Sequence, residues 1–236
     1  MEWTFRKKAE LNCDTCPPLS IIIAMTSPAP ETGAVPPIAC EEIARHGEYR
    51  HLATIPGVAI ELRYATADNF AGRDLYTPLD CAWLHRDAAT ALASAAAWLA
   101  TQRDGTRLLV LDALRPQRVQ EALWAALQGT PLLGYLAPPG RGSIHSFGMA
   151  VDVTLIDASG DELDMGTGFD DLSELSHPAL EERFLASGQL TDVQVTHRAL
   201  LRAAMAHGGF QGISHEWWHF DCGDRVRVRR EYARVL

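Results

Sequence analysis

Two histidines, two carboxylates and their spacing indicate a specific chemistry in this sequence. His145 and Asp152 lie seven residues apart, and Glu216 and His219 lie three residues apart near the C-terminus. Two imidazoles and one carboxylate are a ligand set of catalytic zinc, which keeps its fourth position for water. Glu216 is placed beside one of these ligands, where it can take a proton from that water. The residues therefore predict a hydrolase that binds one Zn²⁺ through His145, Asp152 and His219.

Loops as well as strands must position these residues. The alternating segment Met149–Ile156 predicts a strand that carries Asp152. Side chains an odd number of positions apart face opposite sides of an ideal strand. We therefore expect His145 in the loop before this strand, and Glu216 in a bend before the strand that carries His219. An unpaired carboxylate is costly to bury in an apolar strand, which favours a metal at Asp152.

The other predicted elements alternate irregularly along the chain. Further strands are predicted over Gly57–Tyr64, Thr106–Ala113, Phe210–Ile213 and Trp217–Cys222, and helices over Ala82–Gln102, Pro116–Leu127, Glu174–Ala186 and Val193–His207. This order predicts an α+β fold. We expect a single compact domain in which helices flank a small, mostly antiparallel sheet with the zinc site at the sheet. The basic run Arg225–Arg230 alternates with valine and is predicted to be a solvated edge strand.

Composition limits the possible partners. The 236 residues are 47% hydrophobic, enough for one full core. The net charge of −9 argues against a nucleic-acid partner, and no apolar run approaches the ~20 residues of a membrane span. Five scattered cysteines are typical of reduced thiols in a cytoplasm. No feature of the sequence indicates an oligomeric state.

Residues 1–38 differ from the predicted domain, residues 39–236. Lys7 and Lys8 precede a short apolar stretch, Leu19–Met25, in a weak likeness to a secretory signal. The apolar stretch is marginal, and a proline-rich segment follows it. We predict a disordered leader and a cytoplasmic protein, with export as the alternative.

The zinc D-Ala-D-Ala metallopeptidases have a signature that this sequence resembles. Its two parts here are Ser143-Ile-His-Ser-Phe-Gly-Met-Ala-Val-Asp152 and Glu216-Trp-Trp-His219. Three further segments resemble the D-alanyl-D-alanine dipeptidase branch of that family: Arg63–Arg73, Asp112–Pro116 and Asp164–Asp170. The resemblance extends from about Val58 to Asp221, with the motifs in the family's order.

The resemblance implies an activity and a role for each residue of the site. It implies hydrolysis of the small dipeptide D-Ala-D-Ala to two D-alanines, with Glu216 activating the zinc-bound water as general base and then acid. Arg115 would stabilise the oxyanion, so its loss is expected to reduce the rate far more than the stability. Ser143 would contact the substrate carboxylate, and Tyr64 would bind the ammonium group together with Asp152 and Glu216.

Other functions remain open from the sequence. Within the same family, the chain resembles D,D-carboxypeptidases and other peptidoglycan peptidases, and a non-catalytic zinc-binding module is a further alternative. A non-haem iron oxygenase also uses two histidines and one carboxylate. Its first histidine and carboxylate usually lie two apart on a strand, whereas here they lie seven apart. The sequence does not distinguish dipeptide recycling from glycopeptide resistance.

Overall fold

The structure is a computed structural model that describes residues 35–236. The predicted leader, residues 1–38, therefore lies outside the described residues except at its end. Within the described part of the chain, no helix is both long and apolar enough to cross a membrane.

A five-stranded sheet lies at the centre of the described residues. The described residues contain seven strands in all: β1 (Tyr49–His51), β2 (Val58–Ile60), β3 (Trp83–His85), β4 (Arg107–Asp112), β5 (Ala150–Ile156), β6 (Phe210–Gly212) and β7 (His219–Cys222). Five of them form the central sheet in the order β2-β4-β5-β7-β6, in which only β2 and β4 are parallel neighbours. Strands β1 and β3 form a separate antiparallel pair. The predicted α+β class with a mostly antiparallel sheet is confirmed.

Helices pack against this sheet. They are α1 (Arg86–Gln102), α2 (Gln117–Ala126), α3 (Glu181–Ala186), α4 (Asp192–His207) and α5 (Arg225–Glu231), with short 3-10 helices between them. Alanine favours α1 because it has the highest helix propensity, and its small side chain also lets α4 approach closely. A Cβ on Gly208, at the end of α4, would lie 2.4 Å from the carbonyl oxygen of Ala91. Glycine at this position is therefore required by the packing of the two helices.

Strand β5 is buried along its whole length. Val151, Val153 and Leu155 belong to the core that includes residues of α1 and α4. Because side chains alternate along a strand, Asp152 and Thr154 point to the opposite face of the sheet. Asp152 is thus a buried carboxylate that faces away from the helical layer.

Three predicted elements are shorter than expected. The helix predicted over Ala82–Gln102 begins only at Arg86, because Trp83–His85 pair with β1 as strand β3. The segment Glu174–Ala186 is two 3-10 turns followed by α3, which begins only at Glu181. Pro178 lacks an N–H and disfavours helical backbone in the residue before it, so a continuous helix cannot form. The strand predicted over Gly57–Tyr64 is limited to β2, because the chain turns into a 3-10 helix at Arg63–Ala65.

The prediction of an edge strand over Arg225–Arg230 is wrong, because these residues lie in helix α5. The carboxylate of Asp224 accepts hydrogen bonds from the backbone N–H groups of Val226 and Arg227, at 3.1 and 2.8 Å, and so caps the helix. The exposure of two valines agrees with a helix, because Val228 is 1% exposed whereas Val226, two residues earlier, is 70% exposed. On a strand both would face the same side.

Candidate active site

Three polar side chains lie in a row across the sheet. Asp112 at the end of β4 is in register with Asp152 on β5, and Asp152 is in register with His219, the first residue of β7. Residues paired in this way have their side chains on the same face of the sheet. The sheet register therefore brings together residues that are up to 107 positions apart in the numbering.

His145 reaches this row from outside the sheet. It lies in the 3-10 helix Ile144–Phe147, which ends at Gly148 with a φ of 63°. A Cβ at Gly148 would lie 2.8 Å from the backbone nitrogen of His85, so both the conformation and the space favour glycine. As expected, His145 precedes β5, and Glu216 lies in an irregular segment before β7.

The ligand atoms of the predicted zinc set converge. The Nε2 atom of His145 lies 3.1 Å from Nδ1 of His219 and 3.3 Å from Oδ1 of Asp152, and the latter two atoms are 2.9 Å apart. All three residues are buried. Within residues 35–236, these three side chains form the one group of histidine, cysteine or acidic residues close enough together to hold a metal ion.

The hydrogen bonds around this group fit a cation at its centre. The outer ring nitrogen of His145 lies 2.9 Å from the carbonyl oxygen of Ala113, and that of His219 lies 3.0 Å from Oδ1 of Asp221. When these outer nitrogens donate, the inner nitrogens become acceptors that face each other and a carboxylate oxygen. Three such acceptors need a positive charge between them. The donor set therefore fits Zn²⁺, whose histidine ligands commonly donate their second N–H in this way.

Acidic groups favour positive charge at this position even without a metal. Burial disfavours the charged form of His219, but hydrogen bonds to Asp152 and Asp221 outweigh burial and raise the pKa of His219 to about 10. Burial likewise opposes the charge on Asp152, yet His145 and His219 hold the pKa of Asp152 below its ordinary value.

Arg115 lies beside the metal-ligand group and is itself buried. Its Nε and Nη2 atoms donate to Oδ2 of Asp112 at 2.9 and 2.6 Å, and Nη2 also approaches Oδ2 of Asp152 at 3.3 Å. Tyr76 donates its hydroxyl to the other oxygen of Asp112. Burial opposes the guanidinium charge, but these carboxylates and the adjacent Tyr64 raise the pKa of Arg115. The guanidinium is thus held charged and in a fixed orientation.

All seven predicted site residues line one cavity of 160 Å³. They are the ligands His145, Asp152 and His219, together with Glu216, Arg115, Ser143 and Tyr64. The side chain of Glu216 is 13% exposed, and burial raises its pKa to about 7. This cavity is small compared with the roughly 300–1,000 Å³ of common ligand pockets. The geometry places these residues together, while their individual roles stay predictions.

Asp170 lines the same cavity but was not singled out from the sequence. Its carboxylate accepts hydrogen bonds from the Tyr64 hydroxyl at 3.2 Å and from the Phe70 backbone N–H at 3.3 Å. Burial raises the pKa of Asp170 to about 7. Its φ is 61°, a left-handed conformation that aspartate tolerates better than most residues. The only signal in the sequence is its position at the end of Asp164–Asp170, a segment quoted for the family resemblance.

Asp221 is a second residue that the sequence did not single out. One carboxylate oxygen of Asp221 lies 3.0 Å from Nε2 of His219, and the other forms an ion pair with Arg225. We expect Asp221→Asn to weaken zinc binding by roughly 10–100-fold, because a carboxylate that accepts from a ligand histidine fixes the orientation of its ring. Zinc titration by calorimetry tests this, with Asp224→Asn, at the start of α5, as the control. Unchanged zinc affinity in Asp221→Asn would contradict this role.

Comparisons with known proteins converge on one family. A family model for M15 peptidases, described as D-ala-D-ala dipeptidase, matches residues 47–236. A D-alanyl-D-alanine dipeptidase of Escherichia coli (strain K12) is 44% identical over 166 residues, which cover 70% of this chain and 79% of that protein. Proteins of the same name from Enterococcus faecium and Enterococcus faecalis (strain ATCC 700802 / V583) are 33% and 31% identical. Each match covers 70% of this chain, and 86% and 85% of the two relatives.

Proposed function

The chain belongs to the D-Ala-D-Ala dipeptidase family of M15 metallopeptidases, and on that premise we propose that it hydrolyses D-Ala-D-Ala to two D-alanines. The observation that supports this most is the convergence of His145, Asp152 and His219 in a small cavity that also contains Glu216 and Arg115. Relatives that carry the name of this activity support the same substrate.

One Zn²⁺ per chain would be held by His145, Asp152 and His219. When bound, zinc supplies a Lewis acid that polarises the peptide carbonyl and lowers the pKa of water at the site. Neighbouring groups orient the ligands, because Ala113 and Asp221 accept hydrogen bonds from the outer ring nitrogens of His145 and His219. The ligands are therefore oriented before the metal arrives.

Glu216 would transfer the proton. It lines the same cavity as the metal ligands, and its raised pKa of about 7 reflects its burial. A general acid or base works best when its pKa lies near the working pH. We infer that Glu216 accepts a proton from the attacking water and then donates it to the amine of the departing D-alanine.

Arg115 would stabilise the negative charge that develops on the peptide oxygen. Asp112 accepts from two of its nitrogens, and Asp152 and Gln120 each accept a further hydrogen bond at 3.3 Å. These contacts orient the guanidinium and leave one N–H of Nη1 for the oxyanion. A fixed donor needs no reorganisation when charge appears in the transition state. Stacking over the Tyr64 ring, at 5.0 Å from guanidinium carbon to ring centroid, further restrains it.

We expect Arg115→Lys to lower kcat by roughly 10²–10³-fold, the loss typical of one oxyanion donor. Lysine keeps the charge but cannot reproduce the forked hydrogen bonds to Asp112. Steady-state kinetics and thermal unfolding test this together, with the exposed Arg118→Lys as control. The sequence alone predicted that loss of Arg115 would affect the rate far more than the stability. Because Arg115 forms a buried ion pair with Asp112, Arg115→Ala should also lower the free energy of unfolding, by about 3–5 kcal/mol. A kcat near that of the unmodified enzyme in Arg115→Lys would remove Arg115 from the mechanism.

The two ends of the substrate would be recognised by different groups. Asp170 and Tyr64 provide an acidic, hydrogen-bonded end that suits a free ammonium group, with Asp152 and Glu216 nearby in the same cavity. Ser143, two residues before a zinc ligand, would donate its hydroxyl to the substrate carboxylate. A buried acidic end favours a free dipeptide over an N-blocked chain, because a neutral amide would leave Asp170 without a cation.

The proposal is tested by measuring free D-alanine released from D-Ala-D-Ala, with L-Ala-L-Ala and N-acetyl-D-Ala-D-Ala in parallel. We expect turnover of the free D,D-dipeptide alone, its loss with a chelator and its return with added zinc. Cleavage of the acetylated substrate would instead support a D,D-carboxypeptidase. Zinc binding without turnover of any substrate would support a non-catalytic module. A cytoplasmic location stays a prediction.

A further inference from the structure

The basic run of the C-terminal helix lies at the active-site cavity. Arg225 and Arg229, one turn apart on α5, line the cavity together with Arg141. Arg141 belongs to the loop that leads to Ser143. This concentration of arginine is a local exception in a chain with a net charge of −9.

Two of these arginines have no carboxylate partner within residues 35–236. Arg225 forms an ion pair with Asp221. Arg229 donates only to backbone oxygens, from Nε and Nη2 to Gly142 at 3.2 Å and from Nη1 to Arg225 at 3.1 Å. Arg141 is exposed and lines the cavity, and its guanidinium forms no hydrogen bond with any residue that the structure describes. Arg141 and Arg229 thus keep N–H donors free at the cavity.

The cluster brings four arginines together near a single carboxylate, Asp221, which is paired with Arg225. Burial lowers the pKa of Arg229, the nearby charges of Arg141, Arg225 and Arg234 lower it further, and Asp221 opposes these effects in part. Arg234 is also packed here, because its Nη2 donates to the carbonyl oxygen of Arg141 at 3.1 Å. Like charges held together in a partly buried place favour the binding of a negative group.

The cavity therefore has two ends of opposite charge. Asp170 and Tyr64 lie at the acidic end, and Arg141 and Arg229 at the basic end near Ser143. A dipeptide bound as in the proposed function, on which this inference rests, has its C-terminal residue at the basic end. The substrate carboxylate neutralises one of the two unpaired arginines, and one positive charge remains.

We propose that Arg141 and Arg229 form an anion subsite for the leaving residue, which selects dipeptides whose second residue carries a side-chain carboxylate. D-Ala-D-Asp and D-Ala-D-Glu are the simplest members of this class. Each brings two carboxylates to two arginines, so that the charge at this end of the cavity is balanced. Arg141 is exposed and also lines the cavity, which places it where the cavity meets solvent.

The test compares each acidic dipeptide with its amide isostere, D-Ala-D-Asp with D-Ala-D-Asn and D-Ala-D-Glu with D-Ala-D-Gln. We expect kcat/KM to be about tenfold higher for the acid, as for one charge-assisted hydrogen bond. Arg141→Gln and Arg229→Gln should each bring this ratio towards one. Arg227→Gln should leave it unchanged, because Arg227 lies on the same helix but is 64% exposed and paired with Glu231. The ratio cancels any change in folding or zinc content.

The outcomes separate this inference from the proposed function. An acid-to-amide ratio of one or less in the unmodified enzyme would overturn the subsite, as would a ratio that neither Arg141→Gln nor Arg229→Gln alters. If no dipeptide is cleaved, the proposed function fails, and calorimetric binding to the zinc-loaded protein tests the subsite alone. Tighter binding of D-Ala-D-Glu than of D-Ala-D-Gln, lost in Arg141→Gln, would then support it. Equal binding would overturn it.

Discussion

Replacement of Glu216 by glutamine is expected to lower kcat for D-Ala-D-Ala by roughly 10²–10⁴-fold, the usual contribution of a general acid or base. Glutamine keeps the size of the side chain and its burial, but it cannot accept the proton of the attacking water. Because Glu216 is not among the three residues whose ligand atoms converge, we expect Glu216→Gln to keep one zinc per chain. The KM for the dipeptide should change much less than kcat.

The measurement is steady-state release of D-alanine at saturating zinc, with metal analysis of the same sample. Glu182→Gln is the matched control, since Glu182 is an exposed glutamate on α3, away from the cavity. A kcat reduced by less than about tenfold, well short of the contribution of a general acid or base, would remove Glu216 as the proton-transfer group. Loss of zinc from Glu216→Gln would instead indicate that Glu216 helps to bind the metal.

Replacement of Asp152 by asparagine is expected to abolish stable zinc binding and, with it, activity. The carboxylate of Asp152 lies 2.9 Å from Nδ1 of His219 and 3.3 Å from Nε2 of His145, and it is the anionic member of the ligand set. Its loss should reduce zinc affinity by more than the roughly 10–100-fold typical of an outer partner such as Asp221. Asparagine would also leave the guanidinium of Arg115 with one charged partner fewer.

Zinc content after dialysis gives the direct measurement, and thermal unfolding gives one that is independent of activity. Zinc that binds the folded state raises Tm by an amount that grows with the logarithm of its affinity. Added zinc should therefore raise the Tm of the unmodified protein and leave that of Asp152→Asn nearly unchanged. Asp104→Asn, at an exposed position before β4, is the control. An Asp152→Asn protein that retains one zinc per chain would exclude Asp152 as a ligand.

Together, the two variants separate the roles of the two carboxylates. Glu216→Gln should be inactive with zinc, whereas Asp152→Asn should be inactive because zinc is lost. If both variants lose zinc, the two carboxylates act as one metal-binding unit, and the assignment of Glu216 as base is wrong.

Local sequence determined much of the architecture. The alanine-rich segment forms α1, the apolar alternating segment forms β5, and the two predicted C-terminal strands form β6 and β7, which pair with each other. These elements follow from propensity and periodicity, which depend on neighbouring residues. The three side chains that could hold a metal ion were also singled out from the sequence, since few residue types bind zinc and their spacing matched a known signature.

Local pattern was insufficient where capping or a proline determined the element. The run Arg225–Arg230 alternates like a strand, yet the cap from Asp224 and the burial of Val228 make it a helix. Pro178 similarly divides Glu174–Ala186 into short turns. Six residues make fewer than two helical turns, so alternation over so short a run does not distinguish a strand from a helix.

Only the tertiary structure decided which residues surround the metal-ligand group. Asp170 reaches Tyr64 across 106 positions, and Arg229 reaches Gly142 across 87. Such contacts depend on strand register and loop paths, which are set by the packing of the whole core. The sequence alone therefore determined which three side chains are available to a metal ion, whereas tertiary packing decided the acidic and basic ends of the cavity.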